Sequence, residues 1–175
     1  MKKSVPSWQI AGFLFAAIGG TLLHFLFDWS GGSGIVGLFS AVNESIWEHM
    51  KLLYYPQLIF AFVEYSRWGK DTKCFWQIKL LGVIVGMVLI PVLYYTYTGA
   101  LGVSADWFNI AIFFITAGVS FWLETKLFEK EYTCLIPSET AFTLLCMIGI
   151  VFTAMTFAPL RIPLFEDPLT GTYGF

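Results

Sequence analysis

Five long apolar stretches dictate the solvent this chain can fold in: Trp8 to Asp28, Val36 to Tyr65, Phe75 to Tyr97, Trp107 to Leu123 and Ser138 to Phe157. Each approaches or exceeds the roughly 20 residues with which an α-helix crosses about 30 Å of hydrocarbon. Water-soluble domains carry about 25% charged residues; here only 13% of residues are charged and 57% are hydrophobic, with a mean hydropathy of +0.71. The expected fold is all-α, an integral membrane bundle of about five transmembrane helices over residues 1-157. An ordered, non-helical external segment, 158-175, is expected to cap the same domain. The lipid bilayer is then the first partner, with a lipid or small molecule as candidate ligand. A net charge of -2 offers nothing to attract nucleic acid, and no feature speaks to oligomeric state.

The individual runs carry further information. The first, preceded by Lys2 and Lys3, has no A-x-A cleavage site before the turn Ser30-Gly31-Gly32-Ser33-Gly34, so it reads as a retained helix rather than a signal peptide. The second, as one helix of about 30 residues, would be about 45 Å long, so it has to tilt, kink or protrude. Pro56 supplies the kink and frees the carbonyl of Leu52. The third contains Gly82-x-x-x-Gly86 and Pro91. Cys74, Cys134 and Cys146 show no metal-binding spacing, and their odd number fits a reduced set with no assigned role.

Basic residues set the orientation. Lys2, Lys3, Arg67, Lys70, Lys73, Lys79, Lys126 and Lys130 fall on one side of a five-span arrangement, Lys51 and Arg161 towards the other. The amino terminus is expected in the cytoplasm and the tail outside.

Against this background, Asn43-Glu44-Ser45-Ile46-Trp47-Glu48-His49-Met50-Lys51 concentrates ionisable side chains at the start of the second run. Such groups in or near hydrocarbon cost several kcal/mol unless paired, hydrated or bound to something. On the first run Gly12, Ala16, Gly20, His24 and Asp28 recur every fourth residue, small along the face and polar at its outer end. Read as helix, Ser40, Glu44 and Glu48 form one row of the second run, and Ala41, Ser45 and His49 the next. Two imidazoles among carboxylates suit zinc or another divalent transition ion. His24, Asp28 and His49 are the candidate metal ligands, and Glu44 and Glu48 the candidate catalytic carboxylates that activate a bound water. Asn43, Ser45, Lys51, Arg161 and Asp167 are candidate pocket residues. The spacing departs from the inverted zincin pattern H-x-x-E-H, because Ser45 stands where the first histidine belongs. Polar positions on the last two runs, Asn109, Thr116, Ser120 and Glu124, and Thr143, Cys146, Thr153 and Thr156, read as interhelical hydrogen bonding.

The tail is too apolar for a disordered segment and too rich in proline and glycine for a helix. Asp167-Pro168-Leu169-Thr170-Gly171 has the composition of a turn.

Three stretches together, Phe27-Asp28-Trp29-Ser30-Gly31-Gly32, the segment from Leu38 to Lys51 with its N-E-S-x-W-E-H-x-K run, and the tail from Pro163 to Gly174, resemble the signature segments of small bacterial multi-pass membrane proteins grouped as a domain of unknown function. The resemblance extends over essentially the whole chain and implies a bacterial inner membrane. It brings no activity, cofactor or catalytic residue with it. Three functions fit the residues: a metal-dependent hydrolase of a lipid or lipid-linked substrate, a protein that binds or transports a small cation or solute, and a structural subunit whose polar cluster clasps helices. Whether the chain is an enzyme is left open by the sequence.

Overall fold

The computed structural model describes residues 4–130 and 133–175; Lys2 and Lys3 lie outside them. The chain is all-α. Five long helices, α1 (Val5–Trp29), α3 (Ile46–Arg67), α4 (Phe75–Leu101), α5 (Asp106–Glu129) and α6 (Ser138–Phe157), form the bundle, with a single-turn helix α2 (Gly34–Gly37) between the first two. Four of the five, α1, α4, α5 and α6, are long and apolar enough to cross a membrane. Their outward faces are apolar, as Ile10, Ile18, Val88, Ile110 and Ile150 illustrate, all more than half exposed. A surface of that kind is made for lipid.

The fifth long helix, α3, differs in kind. It carries Glu48, Lys51 and Glu64, all essentially inaccessible. At 22 residues, roughly 33 Å, it is long enough to span, and it packs against all four other long helices. The apolar helices are thus the wrapping and α3 the wrapped element.

The second apolar run is not one helix. Residues 38–45 form an irregular connection, and α3 starts only after Ser45. The cause is local hydrogen bonding. The Ser45 hydroxyl accepts from the Glu48 N–H at 3.3 Å, and the Asn43 side-chain oxygen accepts from the Ser45 N–H at 2.9 Å. Short polar side chains that satisfy backbone groups in this way end a helix rather than extend it. The expected helical rows through Ser40, Glu44 and Glu48 and through Ala41, Ser45 and His49 therefore do not exist.

Close contact of α1 with its neighbours depends on its small face. A Cβ on Gly12 would come 2.5 Å from the Phe121 ring, and one on Gly20 2.5 Å from the Phe113 ring and 2.7 Å from the Leu52 carbonyl oxygen. That oxygen is the one Pro56 leaves without its helical donor. The carbonyl that Pro56 frees and the glycine therefore meet at the same spot, where the absence of a side chain on Gly20 leaves the oxygen room.

The cysteines differ from expectation as well. Cys74 and Cys134 form a disulfide between the α3–α4 and α5–α6 connections, and Cys146 is free. The two positions are 60 residues apart and become neighbours only because α4 and α5 form an antiparallel pair. Sequence spacing carries no trace of this. Lys79, counted above among loop cations, lies inside α4 and is 2% exposed.

Replacing Gly20 by Ala should destabilise the bundle by about 1–3 kcal/mol, the usual cost of overpacking, because one obstacle is backbone oxygen and cannot rotate away. Gly99→Ala on α4 meets nothing within 4 Å and should be neutral or stabilising by up to about 1 kcal/mol, through helix propensity alone. Thermal unfolding of the two variants in detergent measures the contrast.

Candidate metal centre at the tail end

At the end of the bundle that carries the tail, three of the sequence candidates meet. His24 arrives from the last turns of α1, His49 from the first turn of α3, and Glu44 from the irregular connection just ahead of α3. The Glu44 carboxylate lies between the imidazoles: Oε1 is 3.7 Å from His24 Nε2 and Oε2 is 3.5 Å from His49 Nε2. The two rings are 5.5 Å apart, centre to centre. One donor atom from each residue lies within 4.8 Å of the other two. Ligands about 2.0–2.1 Å from a tetrahedral zinc ion are roughly 3.4 Å from one another. Both carboxylate-to-imidazole separations are already within a few tenths of that value. This His-Glu-His group can hold a metal ion.

Hydrogen bonding orients His49 for that role. His49 Nδ1 is 2.9 Å from the Ser45 carbonyl oxygen; the carbonyl accepts only, so Nδ1 carries a proton and Nε2 is the nitrogen turned towards Glu44. A backbone acceptor that fixes the tautomer is the usual support of a metal-binding histidine. In His24, Nε2 is likewise the nitrogen that faces Glu44, and Nδ1 is buried without a partner among the described residues. The histidine side chains are 28% exposed and that of Glu44 42%. The group is therefore reachable from outside the bundle.

The remaining candidates occupy other places. Asp28 is exposed one turn beyond His24 on α1. Glu48 points inward, away from the histidines. Its Oε2 accepts from Lys51 at 2.8 Å and from the Val42 N–H at 3.2 Å, and its Oε1 accepts from the Thr156 hydroxyl at 2.9 Å. Lys51 also donates to the Gly37 carbonyl and to Thr156, each at 2.8 Å. This buried pair grips the connection that presents Glu44 at two points, at Gly37 where it begins and at Val42 two residues before Glu44. Ser45 caps α3, and Asn43 reaches the tail, donating to the Gly174 carbonyl at 3.0 Å. Asp167 builds a turn, accepting from the Leu169 N–H at 2.8 Å and the Thr170 hydroxyl at 2.9 Å. Arg161 is exposed.

The tail packs back on this end of the bundle. Trp47 donates its backbone N–H to the Leu164 carbonyl at 3.0 Å, and its ring lies 4.6 Å from that of Phe165. The Phe175 N–H reaches the Thr156 carbonyl at 2.9 Å, and the Phe175 ring sits between Phe27 and Phe157. Gly174 has φ +65° and a Cβ there would lie 2.6 Å from the Thr156 oxygen, so only glycine fits. Within the tail, the Tyr173 hydroxyl donates to Glu166 at 2.9 Å, and this bond to a carboxylate holds the phenol proton on, raising its pKa. A groove of about 200 Å³ between Tyr94 and Tyr95 of α4 and Pro163, Glu166 and Pro168 of the tail lies apart from the histidines and contains none of the metal candidates.

A second polar centre, at the opposite end, was not expected as a unit. Lys79 of α4 bridges Glu64 of α3 and Glu124 of α5, and Gln9 of α1 donates to Glu64 at 2.7 Å. Glu124 had been read only as part of an interhelical stripe. The available signal was depth: Glu64, Lys79 and Glu124 each lie about one turn from the same end of their helices. Gly82 makes room for Glu124, since a Cβ there would lie 2.3 Å from the carboxylate. Ser120, on the same stripe, donates to the Gly82 carbonyl at 2.7 Å, as interhelical bonding requires.

Lys51→Met should cost about 3–5 kcal/mol, because it leaves Glu48 as an uncompensated buried charge. Adding Glu48→Gln should recover a large part of the loss. Unfolding measurements on the single and double variants give the coupling energy, and hydrogen exchange over residues 37–45 should rise in the single variant.

No curated protein and no solved structure matches the chain. Over its full length, residues 1–175, it matches one family, and the chain thus belongs to DUF6512, a family of unknown function.

Proposed function

We propose that this membrane protein is a metal-dependent hydrolase whose ion is held by His24, His49 and Glu44 and whose substrate is a lipid or lipid-linked molecule. The observation that carries the reading is the His-Glu-His group itself, with the tautomer of His49 fixed by Ser45. Two histidines and a carboxylate are a common catalytic set for zinc, because three protein ligands leave a position for water or substrate. When bound, such an ion acts as a Lewis acid and lowers the pKa of its water. The chain's own residues have distinct tasks. His24 and His49 supply neutral nitrogen donors, Glu44 supplies charge compensation, and the Glu48–Lys51 pair holds the connection that positions Glu44. Asp28, exposed and one turn from His24, would be the carboxylate placed to accept a proton at this site. Glu48, committed to Lys51, is a positioning group in this scheme.

A lipid substrate follows from location. The group sits at the end of an apolar bundle and is partly exposed, where a headgroup or its linkage reaches it while the acyl chains stay in the bilayer. The same geometry gives a clasp a specific footing, since Glu44 lies between both imidazoles.

The orientation we propose has the amino terminus in the cytoplasm of a bacterial inner-membrane protein and the histidine group outside. Arg67, Lys70, Lys73, Lys126 and Lys130 lie at or beyond the helix ends opposite the tail, and among the described residues Arg161 alone of the exposed cations is on the tail side. The opposing observation is the Cys74–Cys134 disulfide at the basic end, since disulfides persist mainly in oxidising compartments. Reaction of an impermeant reagent with a tag at residue 1 in intact cells should fail if the amino terminus is inside. Labelling there reverses the orientation and places the histidine group in the cytoplasm.

The metal reading is tested on purified, chelator-stripped protein titrated with zinc. Wild type should bind about one ion per chain, and His49→Ala and Glu44→Ala should each weaken binding by at least about 100-fold with helical content unchanged. The metal-loaded protein should release headgroup or acyl chain from vesicle lipids, and His49→Ala should not. Wild type that takes up no ion while His49→Ala lowers its unfolding temperature identifies the clasp instead.

A further inference from the structure

The centre at the end opposite the tail differs from the Glu48–Lys51 pair in its charge balance. Glu48 and Lys51 are one anion and one cation, and Thr156, the Gly37 carbonyl and the Val42 N–H satisfy the remainder. The other centre sets two carboxylates, Glu64 and Glu124, against a single ammonium, Lys79. All three are at most 2% exposed. Fully ionised, they would leave one net negative charge inside an apolar bundle, a state that burial strongly penalises. No charged side chain from α6 or from the 3-10 turn Gly69–Asp71 is paired with them among the described residues. The rings of Phe75, Phe121 and Phe128 lie 5.6–5.9 Å from the Lys79 ammonium.

A metal ion is not the missing cation, because the Lys79 ammonium already sits between the carboxylates. The one cation small enough to be added without displacing it is a proton. An unfilled acceptor stands beside the pair. The Gln9 amide donates to Glu64 through Nε2, while its Oε1 is buried and accepts from nothing among the described residues. A carboxylic O–H on Glu64 is a donor for such an acceptor once the amide turns over, Oε1 then accepting where Nε2 now donates. We propose that Glu64, Lys79, Glu124 and Gln9 form a proton-binding site that holds one exchangeable proton on its carboxylate pair at neutral pH and is electrically neutral as a result. Glu64 and Glu124 lie three and five residues from the ends of their helices, about 5–8 Å along the axis, so the proton exchanges through the disulfide-linked end.

Infrared spectroscopy of the full chain in lipid nanodiscs, in H2O and D2O, reads the carboxylic-acid C=O stretch directly. At neutral pH wild type should show this band, and isotopically labelled glutamate should move it. Glu64→Gln and Glu124→Gln should each abolish it, since either leaves one carboxylate opposite one ammonium. Lys79→Met should increase it about twofold, because two carboxyls then have no cation. Gln9→Leu should keep the band and shift its frequency. Absence of a glutamate-dependent band in wild type overturns the proposal, and that measurement requires no variant to fold. A band that survives in both glutamine variants overturns it equally. The metal titration above reads a different end of the molecule, so the two proposals fail independently.

Discussion

Charge inside a low-dielectric interior has to be compensated where it stands, and the bundle is organised around that requirement. Glu48, Lys51 and Glu64 all belong to α3, which on its own is the least suited of the long helices to hydrocarbon. Each of its charges is matched from within: Glu48 by Lys51 and Thr156, Glu64 by Lys79 and Gln9. The helices that supply these partners, α1, α4 and α6, present apolar residues outward to lipid. Polar bonding in membranes adds modestly to stability per contact, but it discriminates strongly against arrangements that leave a charge unmatched. The two buried centres lie near opposite ends of α3 and fix it in register with its neighbours.

The histidine group depends on one of these centres. Glu44 reaches His24 and His49 from backbone without regular structure, which by itself would hold a side chain loosely. What restrains that segment is the Lys51 ammonium on Gly37 and the Glu48 carboxylate on Val42. The buried Glu48–Lys51 pair and the His-Glu-His group therefore share one stretch of eight or so residues.

Much of this was legible in the sequence because membrane insertion filters composition so severely. The apolar runs show the long helices, and the small-residue face of α1 shows where it packs. The cluster from Asn43 to Lys51 marks the end at which His24, Glu44 and His49 meet. The grouping of His24 with His49 followed from helical spacing, but the separation of Glu44 from Glu48 did not. It turns on whether residues 38–45 are helical, and a serine cap decided that against a hydrophobic run. Ser45-Ile46-Trp47-Glu48 is a helix-start pattern, so the signal was present. Lys79 was misplaced for a different reason: a lysine near a span boundary is indistinguishable from a loop lysine until its carboxylate partners on two other helices are known. The Cys74–Cys134 pairing is likewise a property of tertiary neighbours and not of spacing.

Thr156 shows how narrow the permitted chemistry is at one vertex of this arrangement. Its hydroxyl receives the Lys51 ammonium and donates to Glu48, while its carbonyl receives the Phe175 N–H from the end of the tail. Valine would keep the shape and forfeit both side-chain bonds in one step. Serine would keep the bonds and leave a methyl-sized gap, and a larger polar residue would have no space at a position with no accessible surface. Among natural variants of the chain, position 156 should therefore drift little, and any change there should be accompanied by a change at 48 or 51.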